Sequence, residues 1–273
     1  MTFIETVLTR MSVAPFVRRA GRRVLGQSGR RYLRRLVRPT LPDLATYRTM
    51  LDGRICIEIG GPSEVFSDEG FLSIYSVLGQ LDNCLFSAET IWANGRADGS
   101  YWHPSLKRPG RQLICDATEM RHVTDGSYEA VLASHCLEHV ANPLRALAEW
   151  RRVLKPGGLL LLVLPQKEAT FDWRRPTTTI SHMIDDFERN IGEDDLTHLD
   201  EVARLHDMTR DSAAGSRENF LSRCRGNYVN RAMHHHVFVP ETAIEIVEYA
   251  GFHVIRADTF EAFHIVLIAE KPD

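Results

Sequence analysis

Six consecutive aliphatic residues, Leu159 to Leu164, follow directly on Lys155-Pro156-Gly157-Gly158. The run is strand-sized, far below the ~20 residues that cross a bilayer. It is apolar at every position, so it lacks the alternation of a half-exposed strand. A strand that reads this way is covered on both faces, as in parallel sheets sandwiched between helices. The preceding Lys-Pro-Gly-Gly ends a helix running from about Pro143 to Leu154, because Gly and Pro close helices.

The same rhythm recurs along the chain. Ile55-Cys56-Ile57-Glu58-Ile59 predicts a short buried strand ending at Gly60-Gly61-Pro62, Leu113-Ile114-Cys115 a second ending at Asp116, and Ala130 to Ser134 a third. Thr242 to Tyr249 predicts a helix, Phe252 to Ala257 a strand and His264 to Ala269 a last strand. Strands alternating with helices imply an α/β fold with a doubly wound, mostly parallel sheet. Residues 166–236 break the rhythm. They are polar, rich in His, Asp, Arg and Thr, and hold no long apolar strand, which predicts a mainly helical insertion or cap. The expected organisation is a basic arm over 1–42 and a single domain over 43–273, with 166–236 inserted on the acceptor side.

Charge is unevenly placed. Residues 1–38 hold ten arginines and one acid, Glu5, for a net +9, whereas the whole chain is −3. The arm has helical periodicity, with Phe16, Val17, Ala20 and Val24 on one face and Arg18, Arg19, Arg22 and Arg23 on the other. Such a helix lies on an anionic membrane or docks on an acidic protein; a solvated arm is the plainer reading. An organellar transit peptide shares this composition, whereas a signal peptide lacks its apolar stretch here. The acidic body argues against nucleic acid as a partner. The five cysteines form no Cys-x-x-Cys pair, and several sit in apolar runs as small hydrophobes, which fits a reducing cytoplasm.

Ligands of open parallel sheets bind beyond the carboxyl ends of the strands. Candidate cofactor-binding residues are therefore those at strand ends. Glu58 can order the following loop or bind a cationic amino group. Gly60, Gly61 and Pro62 form a turn where glycine lets backbone approach a ligand. Asp82, 22 residues after Gly60, stands at the usual distance for a carboxylate on ribose hydroxyls, although Asp-Asn is also good turn chemistry. Asp116 and Ala117 follow the second strand, where an acid accepts from an adenine amino group. Ser134 closes the third.

One stretch carries a specific resemblance. Glu129 to Pro143 reads EAVLASHCLEHVANP, and Arg145 to Pro165 reads RALAEWRRVLKPGGLLLLVLP. This is similar to the class I S-adenosylmethionine (SAM)-dependent methyltransferases. It resembles most the group whose fourth strand leads into Leu-Glu-His and whose fifth follows Arg-Val-Leu-Lys-Pro-Gly-Gly. The resemblance implies a Rossmann-like domain with SAM as cofactor, in which the polar insertion read above follows the fifth strand. It covers roughly 52–165, and 238–270 by strand pattern alone. The glycine loop departs from the family's Gly-x-Gly-x-Gly: Gly60 fills the first position, Pro62 the second and Glu64 the third, giving a stiffer and bulkier loop. Gly-x-Gly-x-x-Gly, the mark of dinucleotide binding, is absent.

Methyl transfer is an in-line displacement in which the protein aligns acceptor and methyl, and a hydroxyl acceptor benefits from a base. Histidine suits that role near neutral pH. The candidates are His135 and His139, which share a face with Glu138 at i, i+3 and i+4, and His235 of the His234-His235-His236 run. In the ubiquinone-pathway O-methyltransferases that this segment resembles, a Glu-x-x-Glu-His segment is implicated in metal binding. Here Glu138-His139 match and His135 replaces the first Glu; no metal is assigned. Asp172-Trp173-Arg174-Arg175 reads as part of an acceptor site, with Trp173 stacking and the arginines holding an anionic group. The polar insertion points to a small-molecule or glycan hydroxyl as acceptor. A non-catalytic binding module and an RNA methyltransferase using the arm are the alternatives.

Overall fold

The computed structural model describes residues 39–90, 97–103 and 106–273. The expected helix of the basic arm falls on residues 1–38, outside the described residues. Leu41, expected within the arm, is buried in the core of the domain.

The strands are β1 (Ile55–Ile59), β2 (Gln80–Leu85), β3 (Gly99–His103), β4 (Arg108–Ile114), β5 (Tyr128–Ser134), β6 (Leu154–Pro165), β7 (His253–Phe260) and β8 (His264–Glu270). They form one sheet in the order β3-β4-β2-β1-β5-β6-β8-β7. The five central strands β4, β2, β1, β5 and β6 are parallel neighbours. The hairpin strand β3 adds antiparallel at one edge, and β8 runs antiparallel between β6 and β7 at the other.

The sheet separates two apolar cores with strict period 2. Along β6, Leu160, Leu162 and Leu164 enter one core and Leu159, Leu161 and Val163 the other. A side chain pointing alternately to two covered faces is why that run has no polar position. The first core is closed by helices α2 (Pro143–Val153) and α7 (Pro240–Tyr249), and the second by α1 (Leu44–Leu51), which buries Tyr47 and Leu51. Asn142 caps α2 by accepting from the Arg145 N–H at 3.0 Å, and Pro143 occupies the first turn. The Lys-Pro-Gly-Gly segment ends α2 as expected, but as an irregularity within the first part of β6: Tyr128 pairs with Leu154 and Ala130 already with Leu159. Gly157 takes the positive φ (66°) this requires.

Two strands depart from the expectation. β2 carries Asp82-Asn83, a pair that reads as a turn, yet both side chains are buried and hydrogen-bonded. Asp82 accepts from the Arg111 backbone (2.9 Å), Arg111 Nε (2.9 Å) and the Tyr128 hydroxyl (2.8 Å). Asn83 donates to the Gly61 carbonyl and to Gln112 Oε1, both at 2.8 Å. Buried polar groups with partners fit a strand that propensity alone does not suggest. β3 lies in a stretch without strand alternation. The expected second strand proves to be the end of the longer β4.

The segment 166–236 holds α3 (Ile180–Glu188), α4 (Leu199–Leu205), α5 (Arg217–Arg225) and α6 (Asn227–Asn230), with no strand among them. More of it is loop than helix. It has its own small core of Val202, Ala214, Phe220, Cys224 and Met233.

Candidate active site

A cavity of about 330 Å³ opens at the carboxyl ends of β1, β2, β4 and β5. The loop after β1 forms one wall. The Gly60 N–H continues the ladder to the Cys84 carbonyl (2.9 Å), and Gly60 takes φ 79°. At Gly61 any Cβ would lie 2.1 Å from the Glu58 carboxyl carbon. Glu58 is fully buried; it accepts from the Ser63 N–H (2.9 Å) and the Tyr75 hydroxyl (2.7 Å). Burial pushes its carboxyl up to about 7, against those two hydrogen bonds. Of the two roles open to it in the sequence, the structure gives Glu58 the ordering of the loop from behind.

Asp116 and Ala117 form the second wall. Asp116 accepts from the Thr118 N–H (2.9 Å) and hydroxyl (2.7 Å), and Arg231 lies 3.1 Å away. Burial would raise its pKa, but these donors hold it below the usual carboxylate range. The loop is fixed from the helix side by Trp150, whose indole N–H donates to the Ala117 carbonyl at 3.0 Å.

The floor is the turn after β5. Ser134 lines the cavity, and its buried hydroxyl has no hydrogen-bond partner among the described residues. His135 follows with φ 49°, Nε2 2.9 Å from His264 Nδ1 and Nδ1 3.6 Å from Glu138 Oε1. Burial, with His135 adjacent, lowers His264 to about 4. A 3-10 turn, Leu137–His139, then points His139 into the cavity, its Nδ1 3.3 Å from the Met233 carbonyl. Burial and the neighbouring His234 lower His139 to about 4, so its ring is neutral at neutral pH. His234 goes the other way. Burial opposes its charge, but Asp172 Oδ2 at 2.6 Å raises its pKa. Its ring stands edge-on to His139 at 4.5 Å. Glu138, fully buried behind them, is kept ionised by the surrounding histidines despite its burial.

Of the residues singled out in the sequence, Gly60, Gly61, Pro62, Asp116, Ala117, Ser134, His135 and His139 line one cavity. Glu58, Asp82 and His235 are not among its lining residues. Asp82 points to Arg111 and Tyr128, because it lies within β2 rather than at its end. Phe86 and Thr90 stand at that end instead. His235 is fully buried with Nε2 2.9 Å from the Asn227 amide, and its pKa is lowered to about 3 by burial. The histidine beside His139 is His234. For Asp172 to Arg175, read as part of an acceptor site, the structure shows partners within the insertion. Arg175 is buried and spent on Asp172, Glu201 and the His234 and His235 carbonyls. Trp173 donates to Asp207, and the guanidinium groups of Arg174 and Arg210 stand over its ring at 4.9 and 5.0 Å. Both residues hold the insertion together.

Sequence reasoning missed Arg231 and Glu193, which reach the cavity from the insertion. Their side chains pair at 2.8 Å, and the Arg231 guanidinium covers the Phe86 ring at 5.1 Å. Nothing local marks either residue; only the packing of the insertion brings them over the sheet.

Residues 96–162 match the family model of a methyltransferase domain. A curated relative, an uncharacterized 37.1 kDa protein in a transposon, TN4556, of Streptomyces fradiae, is 40% identical over 72 residues. That match takes in 24% of this chain and only 20% of the relative. Among solved structures, a SAM-dependent methyltransferase of Methanosarcina mazei has a TM-score of 0.49 at 17% identity, covering 85% of this chain and 99% of that one. Another, from Mesorhizobium loti, has 0.48 at 14%, covering 84% and 96%. A strand-end cavity on a mostly parallel sheet defines a ligand-binding α/β domain of the Rossmann-like class. The stretch that matches the methyltransferase domain carries both the Leu137-Glu138-His139 turn and the Lys155–Gly158 segment.

The residues present fit SAM. Gly61 brings backbone to the cavity where a Cβ would collide, Ser134 offers an unpartnered hydroxyl and Asp116 an ionised acceptor.

Proposed function

We propose that this protein methylates a hydroxyl group of a polar small molecule, sugar or glycan, with His139 as the base. SAM supplies an activated methyl on a sulfonium sulfur. The Gly60–Pro62 loop, Asp116 and Ser134 would hold it along the strand ends. The acceptor would enter from the side of the insertion, whose Arg231 and Glu193 close over the cavity. The observation that carries the reading is the placement of His139. Its Nδ1 faces the Met233 carbonyl, which fixes Nε2 as the basic nitrogen of a neutral ring in the same cavity as the glycine loop. His135, held by His264 and near Glu138, shares the wall and would orient the acceptor. Screening labelled-methyl transfer to sugars, glycans and other hydroxylated metabolites tests the assignment. O-methyl products support it, and exclusively N- or S-methyl products overturn it.

The +9 segment over residues 1–38 fits a tether to an anionic membrane or an acidic protein. Deleting it should release the protein from anionic vesicles while sparing turnover of a soluble acceptor. Equal vesicle binding with and without it excludes the membrane role. No helix among the described residues is long and apolar enough to cross a membrane.

A further inference from the structure

Away from the cavity, the insertion gathers a second set of chemistry-bearing side chains. His182 and Asp186 stand at i and i+4 on one face of α3. His198 immediately precedes α4, and His236 lies in the segment leading to α7. One ligand atom from each falls within 4.8 Å of all the others. The individual separations are shorter. His182 Nε2 is 3.2 Å from His198 Nε2 and 3.4 Å from Asp186 Oδ2, and His236 Nε2 is 3.8 Å from Asp186 Oδ2. A tetrahedral ion with bonds of about 2.0–2.1 Å sets its ligands roughly 3.3–3.4 Å apart. We propose that His182, Asp186, His198 and His236 form a tetrahedral site for a divalent transition metal of the zinc class.

Three observations favour a metal over a plain hydrogen-bonded cluster. Asp186 Oδ2 is buried and accepts no hydrogen bond among the described residues, whereas His236 Nε2 faces the Ala141 carbonyl at 3.2 Å and gives up that contact to bind an ion. Leaving a buried oxygen unsatisfied is costly, and a shared cation removes the cost at Asp186. The two Nε2 atoms of His182 and His198 face each other, an arrangement that a bridging ion satisfies from both sides. Three imidazoles with one carboxylate are the donors of zinc-class ions rather than of magnesium or calcium. Access is provided by His182, whose side chain is 40% exposed.

Four protein ligands close the coordination sphere, so the ion is structural. It ties α3, the start of α4 and the segment before α7 to one point. The Asn142 amide donates to the Asp186 backbone carbonyl at 3.0 Å, fastening that point to the cap of α2. Glu193, which lines the cavity, lies between the ligands Asp186 and His198 in sequence. The ion thereby fixes the chain segment that carries Glu193 to the cavity. This inference does not depend on the methyl-transfer reading, because its ligands lie outside the cavity.

The test is metal binding by the full-length protein, stripped with a chelator and titrated with zinc against a chromophoric competitor, and separately with cobalt(II). One equivalent of zinc, a tetrahedral cobalt spectrum and a raised melting temperature on zinc addition are expected. Asp186→Asn and His198→Gln should weaken zinc by more than the roughly 10–100-fold that losing an outer-shell partner costs. Asp195→Asn should leave it unchanged, although Asp195 lies near His198 and His235. Absence of stoichiometric zinc binding by the wild type overturns the site. So do an octahedral cobalt spectrum and wild-type affinity in both ligand variants. If either variant fails to fold by circular dichroism, the wild-type stoichiometry and cobalt spectrum decide.

Discussion

A Cβ placed on Gly61 would lie 2.1 Å from the carboxyl carbon of Glu58, so the acid that holds the loop fills the space a side chain at Gly61 would need. Gly61→Ala must displace either the loop or the carboxylate, an overpacking that costs about 1–3 kcal/mol. Chemical denaturation should report that loss, and calorimetry a weaker affinity for SAM. Wild-type values for both would mean that the loop yields without consequence.

Glu58 also makes stability depend on pH. Its folded pKa, about 7, lies above the ordinary 4.5 because the carboxyl is buried. The folded state therefore keeps a proton that the unfolded state releases. The resulting contribution is full below about pH 4.5 and is lost as pH rises through 7, at up to about 1.4 kcal/mol per pH unit between them. Glu58→Gln should flatten this slope in urea titrations from pH 5 to 8. A slope parallel to that of the wild type would refute the linkage.

Asp116 offers the cavity its ionised acceptor. Asp116→Ala should weaken SAM by about tenfold or more, the scale of a lost hydrogen bond to a charged group. Isothermal calorimetry with SAM and its demethylated product measures this directly. Unaltered affinity would place the adenine elsewhere.

Trp150 reaches the same loop from α2. Trp150→Phe leaves the Ala117 carbonyl without its donor in a buried setting, a loss of about 1–3 kcal/mol. Thermal unfolding should show it, with a reduced affinity for SAM if the loop loosens.

His139→Ala should lower turnover about 10²–10⁴-fold while SAM binding stays near wild type. His235→Ala should act on stability rather than on chemistry, because His235 is buried away from the cavity on Asn227. Single-turnover rates set beside melting curves separate the two. The reverse pattern would move the base to His235.

Much of the fold is written locally. The Leu159–Leu164 run, the strand before Gly60 and the Lys-Pro-Gly-Gly stop fix β6, β1 and the end of α2, because burial on both faces and helix termination leave marks within a few residues. The strand-end residues Gly60, Gly61, Pro62, Asp116, Ala117 and Ser134 were legible for the same reason: a parallel sheet puts its ligand site where strands stop. β2 was not legible, since Asp82 and Asn83 are acceptable in a strand only once Arg111, Tyr128, Gly61 and Gln112 supply their partners. Nor were the roles of Arg175 and Trp173, whose types suit ligand binding but whose partners are the insertion's own carboxylates and carbonyls. Sequence determined most of the central strands and helices and where a cavity opens against them. Tertiary packing decided which histidine meets the cavity, brought Arg231 and Glu193 over it and gathered His182, Asp186, His198 and His236, because contacts between segments distant in sequence leave no local pattern to read.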